Sequence, residues 1–593
     1  MLSDLHGARA SAVIRGRIRE NIIVVLGRTR GRANIAPSIP RALMKSFSLS
    51  AILVSFIAAL SVSRAELSFE EGAAAHLREV TKGDSPGVAV LVARDGKIVF
   101  QGGFGLADLE KKTPVTPETK FRIGSISKQF TAAAILKLAE EKKLAVTDKL
   151  SKFFPDFPRG GEVTLHHLLT HTSGIHSYTD KPDFYAKVGK PIEAGALIES
   201  FKNDPPDFAP GAGFHYNNSA YFLLGEIVAK VSGKPFGDYL RATFFEPLGM
   251  KDTGIFVNAN PPPSMALGYS WNDGKIAPAL DWDMSWAGGA GALYSTVGDL
   301  FRWDEALFGG RVMNDASFKA ATTPVALPAN VDGMIYGYGL LMFDVKRLRA
   351  IGHGGGLNGW LSDLVRLPDQ NCTVVVLANA MPPPPGLTPV EISHSLAGKF
   401  LENETKKMPP LTEDKTVDPK TFSAFTGRYD YQGAVMTVTA EGDHLFGQLT
   451  GQPKYEIFPK SANEFFWKVT DAQVVFIRNE KGEVTAARHT QNGNTFKAAK
   501  LGDDAVTLTP EQLDAFVGQY QYGPAVMTVT RDGGQLFAQL AGQPKYPISP
   551  KSATEFEWRV VKAGVVFAKG EDGRVTKAVH TQNGTTFDAP KIK

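Results

Sequence analysis

A segment of this chain is written twice, and the second copy follows the first directly. Phe425-Thr-Gly-Arg-Tyr429 recurs as Phe516-Val-Gly-Gln-Tyr520, Ala434-Val-Met-Thr-Val-Thr439 as Ala525 to Thr530, Gly451-Gln-Pro-Lys-Tyr455 as Gly542 to Tyr546, and His489-Thr-Gln-Asn-Gly493 as His580 to Gly584. Every pair is offset by 91 residues without a gap. Roughly three in five aligned positions are identical, which identifies two copies of one unit. Within a copy, alternating stretches at Val435 to Thr439, Leu445 to Leu449, Phe465 to Val469 and Val474 to Ile477 are separated by Gly, Asn and Pro turns. That pattern predicts a small antiparallel barrel or sandwich, once per copy. The Pro-containing polar stretches Pro409 to Pro419 and Leu501 to Pro510 read as linkers. At a prior of roughly 150 residues per domain, the 593 residues of the chain suggest about three or four folded units.

The N-terminal segment reads as a leader. Lys45 forms a short basic region, Phe47 to Leu60 is apolar, and Ser63-Arg64-Ala65 has small residues around a cleavage point, the pattern of a secretory signal with Met44 as a candidate start. The apolar run is too short for a stable membrane span. Residues 1–65 hold ten basic residues against Asp4 and Glu20, an excess of +8. The whole chain carries only +4, so the remainder is −4 and the charge gives no sign of a nucleic-acid partner. The single cysteine, Cys372, excludes an intramolecular disulfide framework and a cysteine-based zinc site. The expected division is 1–65 leader and signal peptide, 66–410 catalytic unit, 421–500 first β-repeat and 512–593 second β-repeat.

In the large unit, Gly87 to Ala93 and Lys97 to Gln101 flank Asp95-Gly96, a hairpin signal. Leu361 to Leu367 and Thr373 to Ala378 form a second strand pair around Pro368-Asp369. Helical stretches such as Ser127 to Lys143 and Tyr221 to Val231 lie between them. Strands at both ends with helices between predict an α/β (α+β) domain: one antiparallel sheet closed by the two ends of the segment and flanked by helices.

Gly124-Ser125-Ile126-Ser127-Lys128 opens the first long helix and contains the only Ser-x-x-Lys in the chain. Spacing of three sets the two side chains on one helical face. A serine hydroxyl is a weak nucleophile until a neighbouring base takes its proton, and a lysine whose pKa is lowered by desolvation can do so. The helix N-terminus adds backbone N–H groups where an oxyanion would form. Taken alone, such a tetrapeptide is a weak signal and reads as a solvated helix start.

Two further elements accompany it: Phe214-His-Tyr216-Asn217-Asn218-Ser219 before an apolar helix, and Ile351-Gly-His353-Gly354-Gly355-Gly356 before a strand. Ser125/Lys128, Tyr216/Asn218 and His353/Gly355, in this order, resemble the three motifs of the penicillin-recognising serine hydrolases. The match is to the branch of class C β-lactamases, D-alanyl-D-alanine carboxypeptidases, D-aminopeptidases and family VIII esterases. Leu168 to Ile175, Ala287-Gly-Gly-Ala-Gly291 with Ser295-Thr296, and Val375 to Asn379 also resemble that branch, so the likeness runs from about Leu77 to Phe400. It implies a β-lactamase-like fold, with Ser125 as nucleophile and Lys128 and Tyr216 exchanging its proton. It further implies that Asn218 holds the substrate amide, that the N–H groups of Ser125 and Gly356 form an oxyanion hole, and that His353, Gly354 and Gly355 line the substrate beside it.

His353 stands where β-lactamases of this branch carry lysine, and histidine is mostly neutral near pH 7, which weakens carboxylate recognition. The expected function is therefore an exported serine hydrolase of a small peptide, amide or ester, resembling a D-aminopeptidase, D-peptidase or esterase. The alternatives are a class C-like β-lactamase or penicillin-binding carboxypeptidase, and, in a different class, a noncatalytic cell-wall binder. Neither cofactor nor metal is expected, because His166, His167 and His171 lack accompanying ligand carboxylates. The partners expected are a small-molecule or short-peptide substrate, with cell-wall peptide among the candidates, and the oligomeric state is open. Trp467 and Trp558 read either as glycan platforms or as barrel-core residues.

Overall fold

The computed structural model describes residues 67–592, apart from 182, 273–274, 329–333, 432–433, 451, 480, 492–493, 503–507, 523–524, 533–534, 541–545, 559–562, 571 and 583–584. The expected leader and signal peptide lie outside the described residues, as do parts of the repeated turn motifs. No helix among the described residues is long and apolar enough to cross a membrane.

Helix α1 (Phe69–Val80) precedes strands β1 (Val88–Arg94) and β2 (Lys97–Phe104). Three helices carry the middle of the unit: α2 (Ser127–Glu140), α3 (Asn218–Ser232) and α4 (Val297–Phe308). Strands β3 (Leu341–Val345), β4 (Leu348–Leu357), β5 (Trp360–Leu367) and β6 (Cys372–Ala378) follow, then α5 (Pro389–Phe400). The strands form one antiparallel sheet in the order β3-β4-β5-β6-β1-β2. The N-terminal hairpin closes onto β6 through Val88↔Ala378 to Arg94↔Cys372.

Period-two alternation makes this sheet the partition between two cores. Ala89, Leu91 and Ala93 of β1 join Val375 and Leu377 of β6 in the core beneath α2, α3 and α4. Val88, Val90 and Val92 join Val374 and Val376 in the opposite core, with Leu77 of α1 and Ile392 and Leu396 of α5. A strand buried on both faces can be apolar at every position, which is why β1 and β6 are unbroken Val, Leu and Ala runs.

Some element ends differ from expectation. Helix α2 stops at Glu140 rather than Lys143 because Lys142 turns to φ +58° and Lys143 N–H returns to Leu138 O. Helix α3 starts at Asn218, three residues earlier than expected, because the Asn217 side chain accepts Ala220 N–H at 2.8 Å and caps it there. The strand expected over Phe465 to Val469 ends at Phe466, where Trp467 N–H bonds Ala472 O across a turn.

The repeats fold as β7 to β14 (Gly427–Asp430, Val435–Glu441, His444–Leu449, Tyr455–Pro459, Glu464–Phe466, Ala472–Arg478, Val484–Gln491, Asn494–Leu501), a closed eight-stranded barrel, and an eight-stranded sheet of the same order over residues 518–590. The first closes through Arg428↔Leu501 and Tyr429↔Lys500. The second meets its own edge through Tyr520↔Lys591 and Ile592 N–H to Gln519 O. The duplication persists at atomic level: Tyr429 Oη donates to Phe425 O and Tyr520 Oη to Phe516 O, both at 2.7 Å. Trp467 and Trp558 are 7% and 8% exposed and belong to the two barrel cores, so they offer no surface platform.

Candidate active site

Ser125 sits in the 3-10 turn Gly124–Ile126 that leads into α2, with Lys128 in the helix's first turn. The turn lies backbone to backbone against β4. A Cβ on Gly124, where φ is +50°, would stand 2.8 Å from Gly356 N, and one on Gly355 would stand 2.0 Å from Ile123 O. Only glycine permits either approach. Ser362 Oγ of β5 donates to Ile123 O at 2.8 Å and ties the same turn to the sheet.

Strand β4 is paired to β5 as far as Leu357↔Trp360, but its pairing with β3 ends at Leu341↔Gly352. Beyond Gly352 its backbone is open on the β3 side. Ladder bonds alternate in direction, so Gly354 and Gly356, in step with Gly352, turn their N–H groups to that open side. Gly356 thereby presents a free N–H next to the Ser125 turn, a suitable second donor for an oxyanion.

Lys128 is fully buried. Its Nζ lies 3.1 Å from Ser125 Oγ, 2.8 Å from Asn218 Oδ1 and 2.9 Å from Ala290 O. Every one of those partners is uncharged, and burial holds the amine's pKa well below its ordinary value. A neutral amine has two N–H donors and one lone pair. Asn218 Oδ1 and Ala290 O can only accept, so they take the two donors and leave the lone pair for the Ser125 hydroxyl.

Tyr216 is half-buried with its hydroxyl oxygen enclosed, and Lys128 Nζ stands 4.7 Å from its ring centroid. Burial raises the phenol's pKa, against an opposing effect of Ser125, so the group stays protonated. Its hydroxyl faces Ser125 but reaches hydrogen-bond geometry with no protein atom. Asn218 orients Lys128 through Oδ1 and donates Nδ2 to Thr179 Oγ1 at 3.1 Å. One lone pair and one proton of the carboxamide remain for a substrate.

His353 is 3% exposed, and burial, followed by the field of Lys128, brings its pKa down to about 3. It contacts Gly354 O through Nδ1 and Tyr336 Oη through Nε2 at 3.0 Å. The Nδ1 contact with a carbonyl puts the ring proton there, so Nε2 accepts from Tyr336. His353 is thus a neutral group packed behind the glycine strand.

The structure brings Ser125, Lys128, Tyr216, Asn218, His353 and Gly354 to Gly356 into one site. Sequence reasoning gave no role to Ala290 or Tyr336, and considered His171 only as one of three histidines without ligand carboxylates. Ala290 lies in the Ala287 to Gly291 stretch, whose motif-like composition was the one available signal. The three histidines considered for a metal have separate partners: His166 Nδ1 meets Tyr338 Oη at 2.8 Å, His167 Nδ1 accepts Thr164 N–H at 3.2 Å, and His171 Nδ1 accepts Asn217 N–H at 3.0 Å. Among the described residues no group of three or more His, Cys, Asp or Glu could hold a metal ion.

Comparison with known proteins shows the family to which the chain belongs. The family described as Beta-lactamase matches residues 71–396, and a family of domains of unknown function matches residues 411–499. Penicillin-binding protein 4* of Bacillus subtilis is 29% identical over 66% of this chain and 90% of its own length. A D-aminopeptidase of Gluconobacter oxydans is 29% identical over 50% of this chain and 56% of its own length. The crystal structure of a D-amino acid amidase from Ochrobactrum anthropi, complexed with L-phenylalanine amide, superposes with a TM-score of 0.51 at 23% identity. It covers 57% of this chain and 100% of that one, a likeness of fold.

Proposed function

Starting from the premise that this chain is a serine hydrolase of the beta-lactamase family, we propose that it hydrolyses a small peptide, amide or ester through an acyl-enzyme on Ser125. The observation that carries this reading is the buried Lys128 amine, 3.1 Å from Ser125 Oγ with only uncharged partners. Its lone pair takes the Ser125 proton as Oγ attacks the carbonyl carbon. The N–H groups of Ser125 and Gly356 receive the oxyanion. Tyr216, protonated in the resting site, gives its proton to the leaving group as the carbonyl–heteroatom bond breaks, and is reprotonated from Lys128 through an intervening water. Water then attacks the ester, gives its proton to Lys128, and releases the acid as Ser125 regains its hydrogen.

The substrate we propose lacks an essential carboxylate beside β4, because neutral, buried His353 offers it no cation. That favours an aminopeptidase-like, D-peptide or esterase substrate over a β-lactam, and the D-aminopeptidase relative lends support. Export is proposed from the signal-like pattern at Met44 to Ala65. The same proposal divides the chain into a hydrolase unit at 66–410 and β-units at 421–500 and 512–593.

Labelling with a fluorophosphonate or fluorescent penicillin, followed by mass mapping, tests the nucleophile. The adduct is expected on Ser125, and full activity in Ser125→Ala would end the assignment. Comparing kcat/KM on D-alanyl p-nitroanilide, p-nitrophenyl acetate and nitrocefin tests the substrate class, and fast turnover of nitrocefin alone would overturn it.

A further inference from the structure

One residue holds the backbone on both sides of Tyr216. His171 C=O accepts His215 N–H at 3.0 Å, and His171 Nδ1 accepts Asn217 N–H at 3.0 Å. These are the backbone N–H groups of the residues before and after Tyr216. Between them the imidazole lies against the Tyr216 ring, with centroids 4.4 Å apart and planes tilted by 38°. The backbone of His171 is left-handed, with φ +61°. A non-glycine residue is strained in that region, where its Cβ crowds the backbone. Here the conformation turns its carbonyl and its side chain toward the same segment.

The imidazole bears a second cost. Because Nδ1 accepts, the ring proton is on Nε2, and Nε2 is buried with no hydrogen-bond partner. An orphaned buried donor forfeits its hydration without recompense, a cost an apolar packing residue would not carry. What histidine supplies and an apolar ring cannot is the acceptor that captures Asn217 N–H. Tyr216 needs such a hold, because its own hydroxyl is bonded to no protein atom and cannot anchor the ring.

We propose that His171 is a positioning residue that clamps the backbone N–H groups of the residues before and after Tyr216 and fixes the phenol's aim at Ser125. This inference rests on the proton-donor role given above to Tyr216. A misaimed donor lowers kcat with little change in KM.

The test is steady-state hydrolysis of D-alanyl p-nitroanilide, whose leaving amine must be protonated. Variants His171→Ala, His171→Asn and Tyr216→Phe, and each His171 variant combined with Tyr216→Phe, are compared in the full-length protein. His171→Ala is expected to lower kcat by about 10- to 100-fold with KM within about twofold. His171→Asn, whose Oδ1 reaches the position of Nδ1, should recover at least half of that loss on a logarithmic scale. In the Tyr216→Phe background neither His171 variant should cost more than about twofold, since their effect passes through the missing hydroxyl. The clamp is overturned if the His171 loss is the same size in both backgrounds, or if His171→Asn does no better than His171→Ala. Should His171→Ala fail to fold, the His171→Asn pair of backgrounds decides alone. If Tyr216→Phe leaves kcat unchanged, the proton-donor reading itself falls, an outcome distinct from additivity.

Discussion

Replacing Asn218 by aspartate would place a carboxylate where Lys128 now meets a carboxamide, with almost no change of shape. Asn218 Oδ1 is 2.8 Å from Lys128 Nζ. At an effective dielectric of about 20, opposite unit charges at that separation attract by about 6 kcal/mol. Desolvating the new carboxylate cancels part of this, and a net rise of about 1–3 units in the Lys128 pKa remains. The sign follows from the state the chemistry needs. The opposite charge favours the ammonium, whereas the nucleophile is activated by the neutral amine. The acid limb of kcat/KM should therefore move to higher pH by about 1–3 units, with about 10- to 1000-fold lost near neutral pH and activity returning at alkaline pH. A pH profile on p-nitrophenyl acetate measures it. The lost Nδ2 donor to Thr179 is a pH-independent perturbation, because the threonine hydroxyl can turn to donate, so the two effects separate on the profile. A limb unmoved within about half a unit, or a loss equal at every pH, would refute the neutral-amine reasoning.

Two further substitutions probe the frame around the site. Gly124→Ala sets a Cβ 2.8 Å from Gly356 N at a φ of +50° and should push apart the two oxyanion donors. A fall of about 100-fold or more in kcat, at a stability loss of about 1–3 kcal/mol, is expected, and unaltered kcat with intact folding would count against Gly356 as a donor. Asp363, opposite Gly354 on β5 and bonded to Ser393 Oγ, is buried with its pKa pushed up to about 7. Its folded value lies above its unfolded one, so it costs nothing below about pH 4, destabilises progressively between about pH 4 and 7, and levels off above, by on the order of 4 kcal/mol. Asp363→Asn should match the parent at acid pH and exceed it at alkaline pH in urea unfolding of the hydrolase unit, and parallel profiles would contradict this.

What the sequence made legible was what short-range geometry decides. The Ser125 to Lys128 pairing is legible because three residues in a helix are one turn, whatever the rest of the chain does. The repeats are legible because duplication is self-evident at fixed offset, and the unbroken apolar runs of β1 and β6 because two buried faces leave no polar position. Lys128's other partners are Asn218, 90 residues away, and Ala290, 162 residues away. No local pattern marks a backbone carbonyl as the acceptor that frees a lysine's lone pair. His353 is the instructive case. Its residue type foretold weak charge near neutral pH, but a histidine beside three glycines reads as a side chain offered to substrate. Burial and the field of Lys128 instead keep it neutral far into acid, and Tyr336 uses up its free nitrogen. Tyr216 and Lys128 are governed by the same low-polarity enclosure, which raises the phenol and depresses the amine. One feature, the exclusion of every carboxylate from the partners of Lys128, thus accounts both for a lysine able to act as a base and for a site without a standing charge for an anionic substrate.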